Sequence, residues 1–163
     1  ILLDNENTAM NPRTEILLFQ ASRAQHVEQV IRPHLQKGGI VLCDRYADST
    51  LAYQGYGYGL KIEDLRTIID FATGGLTPDL TLLLDVEPET GLLRRNQGGD
   101  VNRLDAYDLP FHRRVREGYH RLAQEQPNRW VTVDANRSPD AVQREIRRAV
   151  TTYLKTAKTL PQR

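Results

Sequence analysis

An acid and a guanidinium stand side by side at Asp44-Arg45, directly after the apolar run Ile40-Val41-Leu42-Cys43. A carboxylate delivered at the end of a buried strand suits a hydrated Mg²⁺ or the water around a phosphate. A planar guanidinium suits the phosphate itself, which it can grip through two parallel hydrogen bonds. Ser49, Thr50, Tyr53 and Gln54 follow within ten residues. Neutral donors and acceptors of this kind can read the edge of a nucleobase or the hydroxyls of a sugar. The dipeptide alone fits a strand-end ion pair followed by a polar loop better than it fits a phosphate site. Gly55, Gly57 and Gly59, interleaved with Tyr56 and Tyr58, predict an irregular turn, because glycine tolerates positive φ. They do not make a dinucleotide fingerprint, since no strand leads straight into them and no helix is expected to start within them.

Two further constellations carry possible chemistry. Phe19 and Arg23 are four residues apart, so on a helix they project from one face. An aromatic plane beside a fixed fork can stack on a base and hydrogen-bond it, although a core phenylalanine with a surface arginine shows the same spacing. The stretch from Arg94 to Asp105 holds Arg94, Arg95 and Arg103 around the pair Gly98-Gly99. From Arg94 to Arg121 seven arginines face four acids, a local net charge of +3 in a chain whose total is +1. A mobile lid over about 94–106 could swing such cations over phosphates; a solvated helix-loop-helix would also read this way. His26, His34, His112 and His120 show no metal-ligand spacing with Cys43.

Three short apolar runs predict the strands that position these groups: 40–43, 80–84 and 130–133, followed by Asp44, Asp85 and Asp134. None alternates with polar residues, which suits strands covered on both faces. Helices are expected between them. The first opens at Pro12 with Asn11 as cap, and Pro33 should kink or end it. Others follow at 62–72, after Pro88, at 110–125, and after Ser138-Pro139. The tail from 156 to 163 reads as polar and frayed. The alternation predicts an α/β domain of three layers, a parallel sheet with helices on both faces, and a ligand site beyond the carboxyl ends of the strands. Three strands are few for such a sheet, and no strand precedes Pro12. An N-terminal strand-loop-helix unit is therefore expected to be absent from this sequence.

The chain has 163 residues, enough for one domain with a sizeable core. Its net charge of +1 offers no bulk attraction for nucleic acid or anionic lipid. Of its 22 basic residues only four are lysines, leaving 18 arginines. That bias suits phosphate recognition, and suits GC-biased coding and solvated helix faces as well. No run approaches the roughly 18 apolar residues of a membrane span, and no secretion leader is recognisable. Cys43 is the single cysteine, so no internal disulfide forms, in keeping with a cytoplasmic location.

In combination these segments resemble the bacterial thymidylate kinases. The match runs through Leu17-Leu18-Phe19 with Arg23, Asp44-Arg45-Tyr46, Ser49-Thr50 with Ala52-Tyr53-Gln54-Gly55, Thr77-Pro78-Asp79-Leu80-Thr81, Leu84-Asp85-Val86, and the lid segment from Gly91 through Arg103 to Asp105. It covers nearly the whole chain in order. The resemblance implies a P-loop nucleoside-monophosphate kinase fold and the transfer of phosphate from ATP to dTMP with Mg²⁺. It implies that Phe19 stacks on thymine and Arg23 hydrogen-bonds it, while Arg45 holds the dTMP phosphate. Asp44 would orient the phosphate site or Mg²⁺ through water. Ser49, Thr50 and Gln54 would line the dTMP site, with Thr50 and Gln54 facing the base edge, and Tyr53 would press on the deoxyribose. Arg94 would pack on the adenine of ATP, and Arg95 and Arg103 would reach the transferring group from the lid. Asp105, implied with Arg94 and Arg103 on the ATP side, stands where the family often has glutamate. A homodimer formed through helices is also implied, the apolar first helix supplying the face.

The family's phosphate loop, GxxxxGK[ST], does not occur in the sequence, because no glycine pair is followed by Lys-Ser/Thr. The residues given are therefore expected not to catalyse by themselves. Other readings are a different small P-loop kinase for (deoxy)nucleosides, a nucleotide-binding remnant without turnover, or an arginine-rich RNA binder, the last disfavoured by the net charge.

Overall fold

The computed structural model describes residues 1–98 and 102–157. Helix α1, Pro12–His26, begins where Asn11 Oδ1 accepts the amide of Arg13 at 2.9 Å, with Pro12 in the first turn. It runs without a break into a π-helical stretch, Val27–Ile31, and then α2, Arg32–Gln36. Pro33 thus does not end the helix, which runs on to Gln36. The widened turn just before it accommodates the missing N–H. A second composite helix follows, α3 (Ala47–Thr50) continuing as a π-helical stretch over Leu51–Gly57. The glycine-rich segment expected to be an irregular turn is therefore helical through Gly57, and only Gly59 takes positive φ (77°). Packing explains the correction. A Cβ on Gly57 would sit 2.6 Å from Phe111 Cε2, so glycine lets this helix lie directly on its neighbour.

The remaining elements follow the sequence pattern: α4 (Ile62–Thr73), β1 (Thr81–Asp85), α5 (Pro88–Gln97), α6 (Leu109–Glu125), β2 (Trp130–Asp134) and α7 (Pro139–Ala157). Helix α4 stops at Gly74 in the left-handed region, φ 55°. Asp108 caps α6, its Oδ1 accepting the Phe111 amide at 2.9 Å. Strands β1 and β2 pair in parallel, from Thr81 opposite Trp130 to Asp85 opposite Asp134. They form the one sheet among the described residues. The run 40–43 forms no strand among the described residues, with Ile40 66% and Leu42 92% exposed. A strand is made by hydrogen bonds to a neighbour, and none of the described residues supplies one. The third expected strand is corrected on that ground. The core gathers Ile16 of α1, Leu51 and Ala52, Leu65 and Ile69 of α4, Phe111, Val115 and Leu122 of α6, and Trp130 of β2. It fixes α1, the π-helical stretch and α6 around one cavity.

Candidate functional site

The cavity, about 770 Å³, opens beside the carboxyl end of β1. Phe19, Arg23, Asp44, Arg45, Ser49, Thr50, Tyr53, Gln54, Arg95 and Asp105 all line it. Of the residues singled out in the sequence, Arg94 and Arg103 do not.

Helix α1 presents Phe19 and Arg23 to the cavity. Arg23 spans the space between α1 and the second composite helix. Its Nη1 donates to Gln20 Oε1 (2.7 Å) and to Thr50 Oγ1 (3.1 Å), and its Nη2 donates to the Tyr46 carbonyl (3.1 Å). Gln20, itself buried, donates from Nε2 to the same Thr50 oxygen at 3.1 Å. Thr50 Oγ1 therefore accepts twice and keeps its own proton to offer. Burial lowers the pKa of Arg23, partly offset by Tyr46. A cation that has given up water in this way gains most from a polar partner in the cavity.

Arg45 is the one non-glycine residue with positive φ among those described, 58°. The left-handed conformation costs a residue with a Cβ about 1–2 kcal/mol. It turns the guanidinium back over the cavity, with Cζ 5.0 Å from the centre of the Tyr53 ring. Strain held at a cation on a cavity rim is the kind that functional sites retain. Asp44 is exposed, and its carboxylate has no hydrogen-bond partner among the described residues. No group of three or more His, Cys, Asp or Glu residues gathers to hold a metal among them. A single free carboxylate does fit Mg²⁺, which keeps most of its waters and binds through one or two carboxylates and substrate phosphates.

Tyr53 meets Phe111 and Tyr119 edge-on, with centroids 6.0 and 6.4 Å away. Ser49 and Tyr119 share a hydrogen bond of 2.8 Å. Burial raises the Tyr119 pKa to about 12, although the Ser49 contact works the other way, so the phenol keeps its proton. Gln54 lines the cavity but is tethered below, its Nε2 donating to Glu15 Oε1 at 2.6 Å.

Arg103 is placed differently from the expectation of a lid cation. It is 7% exposed and pairs with the carboxylate of Glu15, which is 1% exposed. Its Nε also donates to the Leu2 carbonyl at 3.1 Å. The cause is electrostatic: a buried carboxylate needs a counter-charge, and Arg103 supplies it. Tyr58 completes this cluster by donating to Glu15 Oε1 at 3.0 Å and sharing a hydrogen bond with Tyr107 at 2.8 Å. Arg95 and Asp105 face the cavity as a pair, Nε to Oδ2 at 2.9 Å, with the Asn102 amide on the same oxygen at 3.1 Å. Arg94 turns away and donates to the Ala135 carbonyl at 2.8 Å. Residues 99–101 of the expected lid, Gly99 among them, and 158–163 of the tail lie outside the described residues.

Sequence reasoning missed Gln20, Glu15, Tyr119 and Arg116. Arg116 holds Asp85 in a fork, Nε to Oδ1 at 2.7 Å and Nη2 to Oδ2 at 2.8 Å, and both residues line the cavity. Asp85 was visible as an acid at a strand end. Tyr119 falls within the helix expected at 110–125 and carried no signal of its own.

A family model for thymidylate kinase matches residues 1–146. The chain belongs to the thymidylate kinase family. It is similar to the thymidylate kinase of Roseiflexus castenholzii, 50% identical over 167 residues that cover 94% of this chain and 73% of that protein. The thymidylate kinase of Desulfovibrio desulfuricans is 49% identical over 162 residues, covering 95% of this chain and 75% of the relative. That of Thermomicrobium roseum is 52% identical over 154 residues, covering 94% and 73%. Membership in the thymidylate kinase family implies the P-loop nucleoside-monophosphate kinase fold, here represented by a helix-rich body around a small parallel sheet. No helix among the described residues is long and apolar enough to cross a membrane.

Proposed function

We propose that the protein phosphorylates dTMP to dTDP with ATP as donor. One observation carries the site assignment: Phe19, Arg23 and Arg45, from two separate stretches of chain, line a single cavity. In this reading Phe19 stacks on the thymine ring. Arg23 and the Thr50 hydroxyl meet its polar edge, and Gln54, held by Glu15, forms the floor beside them. Ser49, fixed by Tyr119, holds the wall between base and sugar. Tyr53 packs on the deoxyribose, where a 2′-hydroxyl would be crowded. Arg45, already turned over the Tyr53 ring, takes the phosphate.

Asp44 would hold Mg²⁺ through water, and the metal would neutralise charge on the phosphates between donor and acceptor. Phosphoryl transfer asks little covalent chemistry of the protein, so alignment and charge compensation are its main contribution. Arg95 supplies positive charge at the cavity wall, and Asp105 aims it. Arg94, beside the loop after β2, remains the candidate for the adenine of ATP. Arg103 acts from below, as the counter-charge of Glu15. Residues 94–98 and 102–106 are read as the described part of a lid on a single kinase domain. A homodimer is part of the reading, supported by exposed Leu17 on α1 and Phe71 on α4. So is a cytoplasmic location, with no nucleic acid or membrane as partner.

Calorimetric titration with dTMP, dUMP, dCMP and thymidine tests the reading. The expected order is dTMP first, with dCMP weakest among the monophosphates. Equal binding of the three monophosphates, with thymidine far behind, would contradict it and favour a generic anion site.

A further inference from the structure

Helix α3 is the four-residue start of a composite helix of eleven residues, still too short to hold its own shape in water. Yet it carries Ser49 and Thr50 and sets the start of the π-helical stretch that carries Tyr53 and Gln54. Something outside it must fix its position. Asp48, 8% exposed and not part of the cavity lining, gives both carboxylate oxygens to Arg129. Nη1 donates to Oδ2 at 2.9 Å and Nη2 to Oδ1 at 2.7 Å. Nη1 also donates to Thr81 Oγ1 at 2.6 Å, and the Arg129 carbonyl accepts the Thr81 amide at 2.6 Å. The guanidinium carbon lies 5.0 Å from the Trp130 ring centre. Arg129 thus joins the starts of β1 and β2 to α3 through one planar fork. Lysine could not reproduce this, having no second coplanar donor.

We propose that Asp48 and Arg129 are positioning residues for the nucleoside half of the site, a clamp that sets where Ser49, Thr50, Tyr53 and Gln54 stand relative to the sheet. The inference rests on the proposed function. Neither residue lines the cavity, so their effect on a nucleotide must pass through α3. The clamp acts on the base and sugar side, so its loss should weaken thymidine and dTMP alike.

The test is calorimetry of dTMP and thymidine with the wild-type protein, Arg129→Lys, Asp48→Asn and the double variant, at a temperature where circular dichroism shows each folded. The expected result is a loss of roughly fivefold or more for each single variant, the same factor for both ligands. The double variant should lose no more than the weaker single. Affinities within about twofold of wild type, with only a lower melting temperature, would overturn the clamp and leave a structural ion pair. Losses that multiply in the double variant would overturn it too. Should Arg129→Lys not fold, Asp48→Asn, which keeps the side-chain shape, decides alone. A wild-type protein that binds neither ligand overturns the proposed function, and the clamp with it.

Discussion

Arg23 Nη1 and Gln20 Nε2 converge on one atom, Thr50 Oγ1, each at 3.1 Å. Two donors from α1 therefore fix a hydroxyl on the other wall of the cavity, and the hydroxyl proton is left to face a ligand beside the remaining N–H groups of Arg23. Thr50→Val keeps the shape and removes the oxygen. It should leave two donors short of an acceptor, costing about 1–3 kcal/mol of stability. It should also weaken dTMP binding about tenfold. Urea denaturation and calorimetry read the two effects; a stable variant with unchanged affinity would remove Thr50 from the site.

The Glu15–Arg103 pair is buried and the Arg95–Asp105 pair is half-exposed, so the two should differ in their effect on stability. Glu15→Ala strands a guanidinium and is expected to cost about 3–5 kcal/mol. Asp105→Ala should cost no more than about 1 kcal/mol. The midpoints of urea unfolding decide this, and equal costs would show that Arg103 finds another partner or water.

Asp85 gives an acid-side pH dependence. The Arg116 fork, opposed by partial burial and helped by His120, lowers its pKa from 3.8 to about 2. The folded state therefore favours the carboxylate more than the unfolded state does. The stability from this pair is complete above about pH 5 and is lost as pH falls from about 4 to 2. After solvent screening it amounts to on the order of 1 kcal/mol. Asp85→Asn should flatten the stability curve in that window; an unchanged slope would mean other carboxylates carry it.

Gly57→Ala tests the packing of the second composite helix on α6. Its new Cβ would lie 2.6 Å from Phe111 Cε2 and 2.9 Å from Val115 Cγ2, neither of which is free to move in the core. A loss of about 1–3 kcal/mol is expected in thermal melts. No loss would show that α6 can shift outward.

Much of this was legible in the sequence because it follows local rules. Asn11-Pro12 marked a helix start, and Pro88 and Ser138-Pro139 marked two more. Asp44-Arg45 and Tyr53-Gln54 stood out because charge and hydrogen-bonding capacity cluster there. What stayed hidden depends on partners distant in sequence. Residues 40–43 look like a strand by composition, but pairing decides that. Arg103 looked like a lid cation because its counter-charge, Glu15, lies 88 residues away and reads as an ordinary surface acid of α1. Gly55 and Gly57 suggested a turn because glycine's freedom is visible in sequence, whereas the close approach of Phe111 is not.

The most direct measurement is the affinity of Arg45→Ala for dTMP and for thymidine, compared with the wild type. If Arg45 takes the phosphate while Phe19, Arg23 and Thr50 hold the nucleoside, the variant should lose roughly tenfold or more for dTMP, the worth of a charge-assisted hydrogen bond. It should bind thymidine as the wild type does. Equal losses for both ligands, or none for either, would contradict the assignment of this cavity to a thymidine monophosphate.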